Sequence, residues 1–221
     1  MQKIFNIKCK KIGIITATII LVAVIVVLII FATTSNKKDY RTVLTVDSVP
    51  IAYGEFMIVL NEQKASVISY FYGKYHINDN VDFWGEDTVI GGESPIETLR
   101  ECTKESIVRI KYEQMLMKQY KTVDDISFRN FESLLKKENR DRQNKIQNNI
   151  PVYGPTKYTK QDYYNYLHSV RISDLRAAIY KESGLDNIEY KFTNELLDKK
   201  VSDNIHNLKI VLKDLYYEIT P

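Results

Sequence analysis

Cysteine, glycine and proline are scarce in this sequence, and each shortage excludes a class of protein. Two cysteines in 221 residues cannot define a disulfide-stapled scaffold. Eight glycines and five prolines are too few for a fibrous or low-complexity chain, and no segment of the sequence repeats. With 44% hydrophobic and 27% charged residues, the composition is that of a folded globular domain.

Acidic residues are missing from the first 38 positions, whereas basic ones are not. Lys3, Lys8, Lys10 and Lys11 stand near the N-terminus. Setting these four aside leaves 27 of the 31 basic residues against 28 acidic ones, so the overall charge of +3 belongs to the N-terminal tail. A nucleic-acid-binding domain needs a basic excess on its folded part, and we therefore expect no nucleic-acid partner.

An apolar run of 21 residues, from 12 to 32, follows these lysines without a single charge. As a helix it spans about 31 Å, which matches the hydrocarbon core of a bilayer. A cleavable signal peptide usually has a shorter apolar stretch and a small-residue cleavage site, and residues 31–35 fit such a site poorly. We therefore expect an uncleaved signal anchor that contacts the lipid bilayer through residues 12–32.

The distribution of positive charge gives the expected orientation of the anchor. The lysines before it favour a cytoplasmic N-terminus and an exported body. Lys37, Lys38 and Arg41 follow it closely, which leaves the reverse topology as an alternative. The expected organisation is a single-pass protein of the cell membrane with a cytoplasmic tail (1–11), the transmembrane anchor (12–32), a tether (33–41) and an extracytoplasmic domain (42–221).

The extracytoplasmic domain has a mainly helical pattern. Apolar residues recur at helical spacing from Phe56 to Phe71, and Gly73 is well placed to end that helix. After an irregular connection over 74–93, a second helix carries apolar residues on two sides, which predicts that it lies between other helices. Helix starts are indicated by Ser94 with Pro95 and Glu97 (a capping box), by Ser127, by Thr159 and by Thr193, and helix ends near residues 148 and 182.

A small β element is expected to join the two ends of the domain. Residues Thr42–Asp47 alternate as a short strand does, and Ser48–Tyr53, which contains Pro50, is predicted to be a turn. A lone strand leaves backbone groups unpaired, so it needs a partner. Residues 208–213 are the best candidate and predict a two-stranded element, although the same residues could instead continue the last helix.

The sequence contains no recognisable catalytic or metal-binding pattern. His76, His168 and His206 stand in different segments at no ligand spacing. The chain lacks a Gly-rich phosphate loop, a Gly-x-Ser-x-Gly elbow and a kinase signature. We therefore predict no catalytic residues, no metal and no cofactor.

Aromatic residues are the most suggestive feature, since all 16 tyrosines follow the apolar run. Helical geometry places Tyr163 and Tyr166 on one face and turns Tyr164 about 100° away, so the cluster cannot point into one core. Tyrosine suits adaptable contact with a partner, although core packing is the alternative for about half of these rings. The residues expected to bind polypeptide are Phe83, Trp84, Tyr153, Tyr158, Tyr163, Tyr164 and Tyr166.

The densest charged group is the segment 138–142, where Glu138 and Arg142 are spaced as a helical ion pair. It has two interpretations. The first is a solvated helix end, and the second is a charged rim beside a peptide-binding groove.

Several of these landmarks together resemble the N-terminal chaperone domain of SurA- and PrsA-type foldases, in its Gram-positive, membrane-anchored branch. The resemblance covers about residues 42–221. The segments that carry it are Val46-Asp47-Ser48-Val49-Pro50-Ile51, Glu55-Phe56, Asp82-Phe83-Trp84, Ser94-Pro95-Ile96-Glu97, Glu138-Asn139-Arg140-Asp141-Arg142 and Tyr153-Gly154-Pro155.

The resemblance implies a multi-helix cradle that holds unfolded or exported polypeptides, which are the partners we expect. Many members of the family also carry a parvulin-type prolyl isomerase domain, but residues 127–221 leave no space for that insert, and the histidine pair expected of a parvulin site is missing. We therefore expect a chaperone-like protein that is not an enzyme. The alternatives are a compact or degenerate peptidyl-prolyl isomerase and an envelope adaptor that docks one specific protein, and a homodimer is left open.

Overall fold

The computed structural model describes residues 38–78, 82–184 and 190–221, and the predicted anchor at 12–32 lies outside them. Within these ranges, no helix combines the length and the apolar character needed to cross a bilayer. The chain divides into two compact units, residues 1–41 and 42–221. The described strands and longer helices all belong to the second unit.

The second unit is mainly helical and has a small β-sheet, which confirms the expected fold class at this level. Its described elements are β1 (Thr42–Val46), β2 (Val49–Ala52), α1 (Tyr53–Tyr75), α2 (Pro95–Gln119), α3 (Phe128–Gln147), α4 (Lys160–Ser183), α5 (Tyr190–Ile205), β3 (Ile210–Leu212) and α6 (Asp214–Tyr217).

The sheet joins the two ends of the domain, as predicted. Strand β3 pairs antiparallel with β1 so that Val211 lies opposite Thr45. The segment 208–213 therefore contains a strand, residues 210–212, and does not continue the last helix.

The sheet has three strands, and the prediction of two was wrong. The additional strand is β2, residues 49–52, which pairs with the other side of β1. Asp47 and Ser48 connect β1 and β2 with φ angles of 45° and 69°, and two positive φ angles are what a two-residue hairpin turn requires. Pro50 is tolerated because β2 is an edge strand, where a missing N–H removes no ladder bond.

Helix α1 continues past Gly73, where we had predicted its end. It ends instead at His76, whose φ of 56° forms the C-cap and whose N–H donates to the carbonyl of Tyr72 at 2.9 Å. The last turn is held by tertiary contacts: Lys74 Nζ lies 2.7 Å from Glu93, and the hydroxyl of Tyr75 donates to the carbonyl of Gly91 at 3.4 Å. These contacts offset the cost of a glycine inside a helix, which is about 1 kcal/mol.

Helix α2 is the central helix of the domain, as its two apolar sides predict. Ser94 Oγ accepts a hydrogen bond from the N–H of Glu97, and Pro95 occupies the first turn. The helix packs against α1, α4, α5 and β1. Its fully buried apolar side chains are Ile96, Leu99, Ile107 and Met117.

The remaining helix boundaries follow the sequence closely. Ser127 and Thr159 accept hydrogen bonds from the third residue beyond each, and Gly184 ends α4 with a φ of 66°. Helix α5 is already helical at Tyr190, so the predicted start at Thr193 was three residues late or more. Helix α6 was not predicted; it buries Tyr216 against Phe56, with ring centroids 5.9 Å apart.

Candidate functional site

The structure separates the seven predicted peptide-binding residues into buried and exposed groups. Phe83, Tyr163 and Tyr164 are buried in the core, so they cannot contact a polypeptide directly, and that part of the prediction is corrected. The physical reason is that each ring has an aromatic neighbour inside the domain, at 5.6 Å for Phe83 with Phe71 and 5.3 Å for Tyr164 with Phe131.

The other four predicted residues remain accessible to a partner. Tyr153 is 89% exposed, Tyr166 is exposed, and Trp84 and Tyr158 are half-buried. Trp84 lies apart from the tyrosines, because its partner is the neighbouring Phe83 at 4.6 Å. A binding role for these four side chains stays a prediction.

Three tyrosines form one contiguous stack at the start of α4. The ring of Tyr158 lies 5.4 Å from that of Tyr163 and 5.5 Å from that of Tyr166, and the two α4 rings lie 6.1 Å apart. The stack therefore leads from the buried Tyr163 to the exposed Tyr166. The helical spacing of Tyr163 and Tyr166 indicated their shared face correctly.

Residues 136–159, comprising the second half of α3 and the loop that follows it, are called the arm here. None of them is buried, so no residue of the arm belongs to the core. Its helix ends in a Schellman arrangement: Asn149 has a φ of 56°, and the N–H of Ile150 donates to the carbonyl of Lys145 at 2.9 Å.

Arg142 fastens the loop of the arm to its helix. Its Nη1 donates to the carbonyl oxygens of Tyr153 and Pro155 at 3.0 and 2.7 Å, and its Nε donates to Glu138 at 2.8 Å. The guanidinium carbon also lies 4.4 Å from the centre of the Tyr158 ring. Planar guanidinium groups suit this combination of forked donation and stacking.

Asn139 adds a second fastening one turn away on α3. Its amide donates to the carbonyl of Tyr158 at 3.0 Å and accepts from the N–H of Tyr158 at 2.8 Å. The charged segment 138–142 is therefore neither a solvated helix end nor only a rim, because two of its five residues hold the loop of the arm. In the sequence, only the density of polar residues pointed to this role.

The surface of the arm is both apolar and cationic. Ile146, Ile150 and Tyr153 are exposed there, and Tyr153 is the most exposed of the large hydrophobic residues described. The arm contains six basic residues against two acidic ones, although the chain beyond residue 11 is nearly neutral. Exposed apolar groups on a charged surface are typical of a site that meets another molecule.

A buried polar network connects three helices beneath the arm, and sequence analysis missed it. Lys111 Nζ lies 2.8 and 2.9 Å from the two carboxylate oxygens of Glu55, and these side chains are only 1% and 2% exposed. Lys111 also donates to Gln114 at 2.8 Å, and Tyr164 donates to Glu55 at 3.0 Å. A cavity of about 20 Å³ adjoins Glu55, Gln114 and Tyr164, which is room for one water molecule.

Alkaline unfolding should report the burial of Tyr164. Burial and the neighbouring Glu55 carboxylate raise the pKa of Tyr164 well above its ordinary value near 10. Near and above pH 10, the hydroxyl of Tyr164 loses its proton in the unfolded chain but keeps it in the folded chain. The free energy of unfolding therefore falls as pH rises. Tyr164→Phe should therefore show a shallower fall between pH 9 and 11 in urea titrations. Tyr153→Phe, which removes an exposed hydroxyl, is the control; an equal slope in all three proteins would contradict the assignment.

An interhelical cleft of about 510 Å³ lies between α1, α2, α4 and α5. One wall holds a chain of charged groups. Arg109 donates to Glu113 at 3.0 Å and to Asp198 at 2.6 Å, and His168 Nε2 lies 3.0 Å from the second oxygen of Glu113. None of the seven predicted aromatic residues lines this cleft.

The three histidines have separate surroundings. His76 caps α1, His168 contacts Glu113, and His206 is exposed. Within residues 38–78, 82–184 and 190–221, no three His, Cys, Asp or Glu side chains are close enough to hold a metal ion. Cys102 is a free, partly buried thiol, and burial together with Glu105 raises its pKa, which keeps it in the unreactive thiol form at neutral pH.

Comparison with protein-family models, with curated proteins and with solved structures found no match to this chain.

Proposed function

We propose that this chain is an exported, membrane-anchored protein whose helical domain binds unfolded segments of other polypeptides without catalysis. The proposal follows the resemblance to the chaperone domains of SurA- and PrsA-type foldases. The observation that carries it is the arm, where exposed Ile146, Ile150 and Tyr153 stand on a backbone fastened by Arg142.

The arm combines the two properties that polypeptide binding needs. Its exposed aliphatic and aromatic side chains, Ile146, Ile150 and Tyr153, offer apolar surface for contact with a client. Since Arg142 and Asn139 already fix the loop, binding does not have to order it, and less free energy is lost on association. The excess of basic residues on the arm favours clients that carry acidic side chains.

Suppression of aggregation tests this proposal directly. The full-length chain, in detergent micelles, should lower the light scattering of a chemically denatured model protein at several-fold molar excess. The double variant Ile150→Ser/Tyr153→Ser should lose most of that effect, because it removes the two most exposed apolar side chains of the arm.

The matched control changes one aliphatic residue and one tyrosine elsewhere on the surface. Val89 and Tyr72 are 63% and 54% exposed and lie outside the arm, so Val89→Ser/Tyr72→Ser should keep the wild-type effect. If wild type has no effect on scattering, the proposal fails. If both double variants lose activity equally, the arm is not the binding surface.

A second candidate function is an adaptor that docks one specific envelope protein. The observation that favours it is the burial of Phe83, Tyr163 and Tyr164, which takes three of the seven predicted peptide-binding residues out of reach of a client. It predicts one stoichiometric partner in a crosslinked pull-down, whereas a chaperone returns many weak clients.

A compact prolyl isomerase is the remaining alternative. It predicts faster cis–trans exchange in a proline-containing peptide, and an unchanged rate would exclude this activity.

A further inference from the structure

Most of the charged side chains that line the interhelical cleft have a hydrogen-bond partner within the domain. Glu113 and Asp198 both accept from Arg109, and the Glu62 carboxylate accepts from the amides of Gln161 and Asn165. Each acidic side chain in the cleft therefore has a donor within the described part of the chain.

Arg176 is the exception among the charged residues of the cleft. Its Nε is shut off from solvent and has no hydrogen-bond acceptor among the described residues. Leaving a buried donor unsatisfied costs free energy, and the cost is larger for a charged group. A carboxylate in the cleft would not reach the closed-off Nε, but it would bring a matching charge to the guanidinium of Arg176, which lines the cleft.

The rest of the lining suits a short piece of polypeptide. The side chains of Gln63, Ser106 and Ser169 face the cleft and make no hydrogen bond within the described ranges, so they are free to meet peptide N–H and C=O groups. The apolar part of the lining consists of Val59, Ile110, Ile172 and Leu197. The volume of the cleft lies within the range of small-ligand sites, about 300–1,000 Å³.

We propose that the interhelical cleft binds the C-terminal carboxylate of a polypeptide whose last side chain is apolar. In such a residue the carboxylate and the side chain share one Cα, so Arg176 takes the charge while the apolar lining takes the side chain. A free fatty acid would satisfy Arg176 but would leave Gln63, Ser106 and Ser169 unused. This inference rests on the proposed polypeptide binding and adds a second site for it, apart from the arm.

The test compares two peptides that differ only at their C-terminus. Fluorescein-labelled Ala-Ala-Ala-Leu with a free carboxylate should bind the full-length chain in detergent micelles, measured by fluorescence anisotropy. Its C-terminal amide should bind at least tenfold more weakly. Arg176→Gln should lose the preference for the acid, and Arg176→Lys should retain part of it. Arg129→Gln, which removes an exposed arginine outside both the cleft and the arm, should bind as wild type does.

Acid and amide that bind wild type equally would overturn the inference, as would an unchanged preference in Arg176→Gln. Octanoate that binds as tightly as the peptide acid would assign the cleft to a free acyl carboxylate and would also overturn it. The comparison of the peptide acid with the peptide amide uses wild type alone, so it tests the inference even if Arg176→Gln does not fold. Loss of the peptide preference with intact suppression of aggregation removes this inference only, whereas loss of aggregation suppression removes the proposed function.

Discussion

Replacing Lys111 by methionine is expected to lower the free energy of unfolding by about 3–5 kcal/mol. The variant would leave the Glu55 carboxylate, which is 2% exposed, without the ammonium that lies 2.8 Å from it. An unpaired charge in this position must either stay ionised without solvation or take up a proton, and both outcomes cost free energy. Urea unfolding of the full-length chain in micelles, followed by the fluorescence of the single tryptophan, Trp84, gives the measurement.

A second substitution separates the loss of the ion pair from the loss of packing. Glu55→Gln/Lys111→Met removes both charges, so it should be clearly more stable than Lys111→Met alone. Lys137→Met breaks the exposed pair of Lys137 with Asp141 and should change stability little, because water already solvates both groups. If Lys111→Met were no less stable than Lys137→Met, the buried network would have no stabilising role.

The buried network shows which part of the fold the sequence could not reveal. Glu55 and Lys111 are 56 positions apart, and Tyr164 is a further 53 positions beyond Lys111. Hydropathy patterns treat such residues as surface positions, since charged side chains are seldom fully buried. Only the packing of α1, α2 and α4 brings them together, and no local spacing encodes that packing.

Local features, in contrast, were predictable because the partners are close in sequence. The caps at Ser94, Ser127 and Thr159 each use a side chain and an N–H three residues later, and the αL geometry at Gly184 needs no tertiary contact. Helix α1 passed Gly73 for the opposite reason, because its last turn is held by the distant Glu93.

The candidate site was predictable in composition but not in arrangement. The crowding of tyrosines near Tyr158 indicated an aromatic surface, and the positions of Tyr153 and Tyr166 agree with it. The roles of Asn139 and Arg142 were not predictable, because both side chains act on backbone atoms 11 to 19 residues away. The cleft depends on four helices, and no segment of the sequence describes it alone.

Replacing Arg142 by leucine is expected to release the loop of the arm and to reduce client binding while the core stays folded. The variant loses two charge-assisted hydrogen bonds to the carbonyls of Tyr153 and Pro155, each worth about 1.5 kcal/mol or more. Together they correspond to a local opening constant raised on the order of a hundredfold, at 1.4 kcal/mol for each factor of ten. The N–H of Tyr158, which donates to Asn139, should therefore exchange with deuterium roughly a hundred times faster.

Arg140→Leu is the matched control, because it removes an exposed arginine two positions earlier on the same helix and leaves the loop fastened. It should keep the wild-type exchange rate at Tyr158, and because it removes the same charge from the arm, its suppression of aggregation is the reference for Arg142→Leu. In Arg142→Leu the exposed apolar side chains Ile150 and Tyr153 are still present, so any loss of suppression measures the contribution of a pre-ordered loop. Fast exchange with full suppression would mean that clients bind the apolar side chains whatever the conformation of the loop, and unchanged exchange would mean that Arg142 does not hold it.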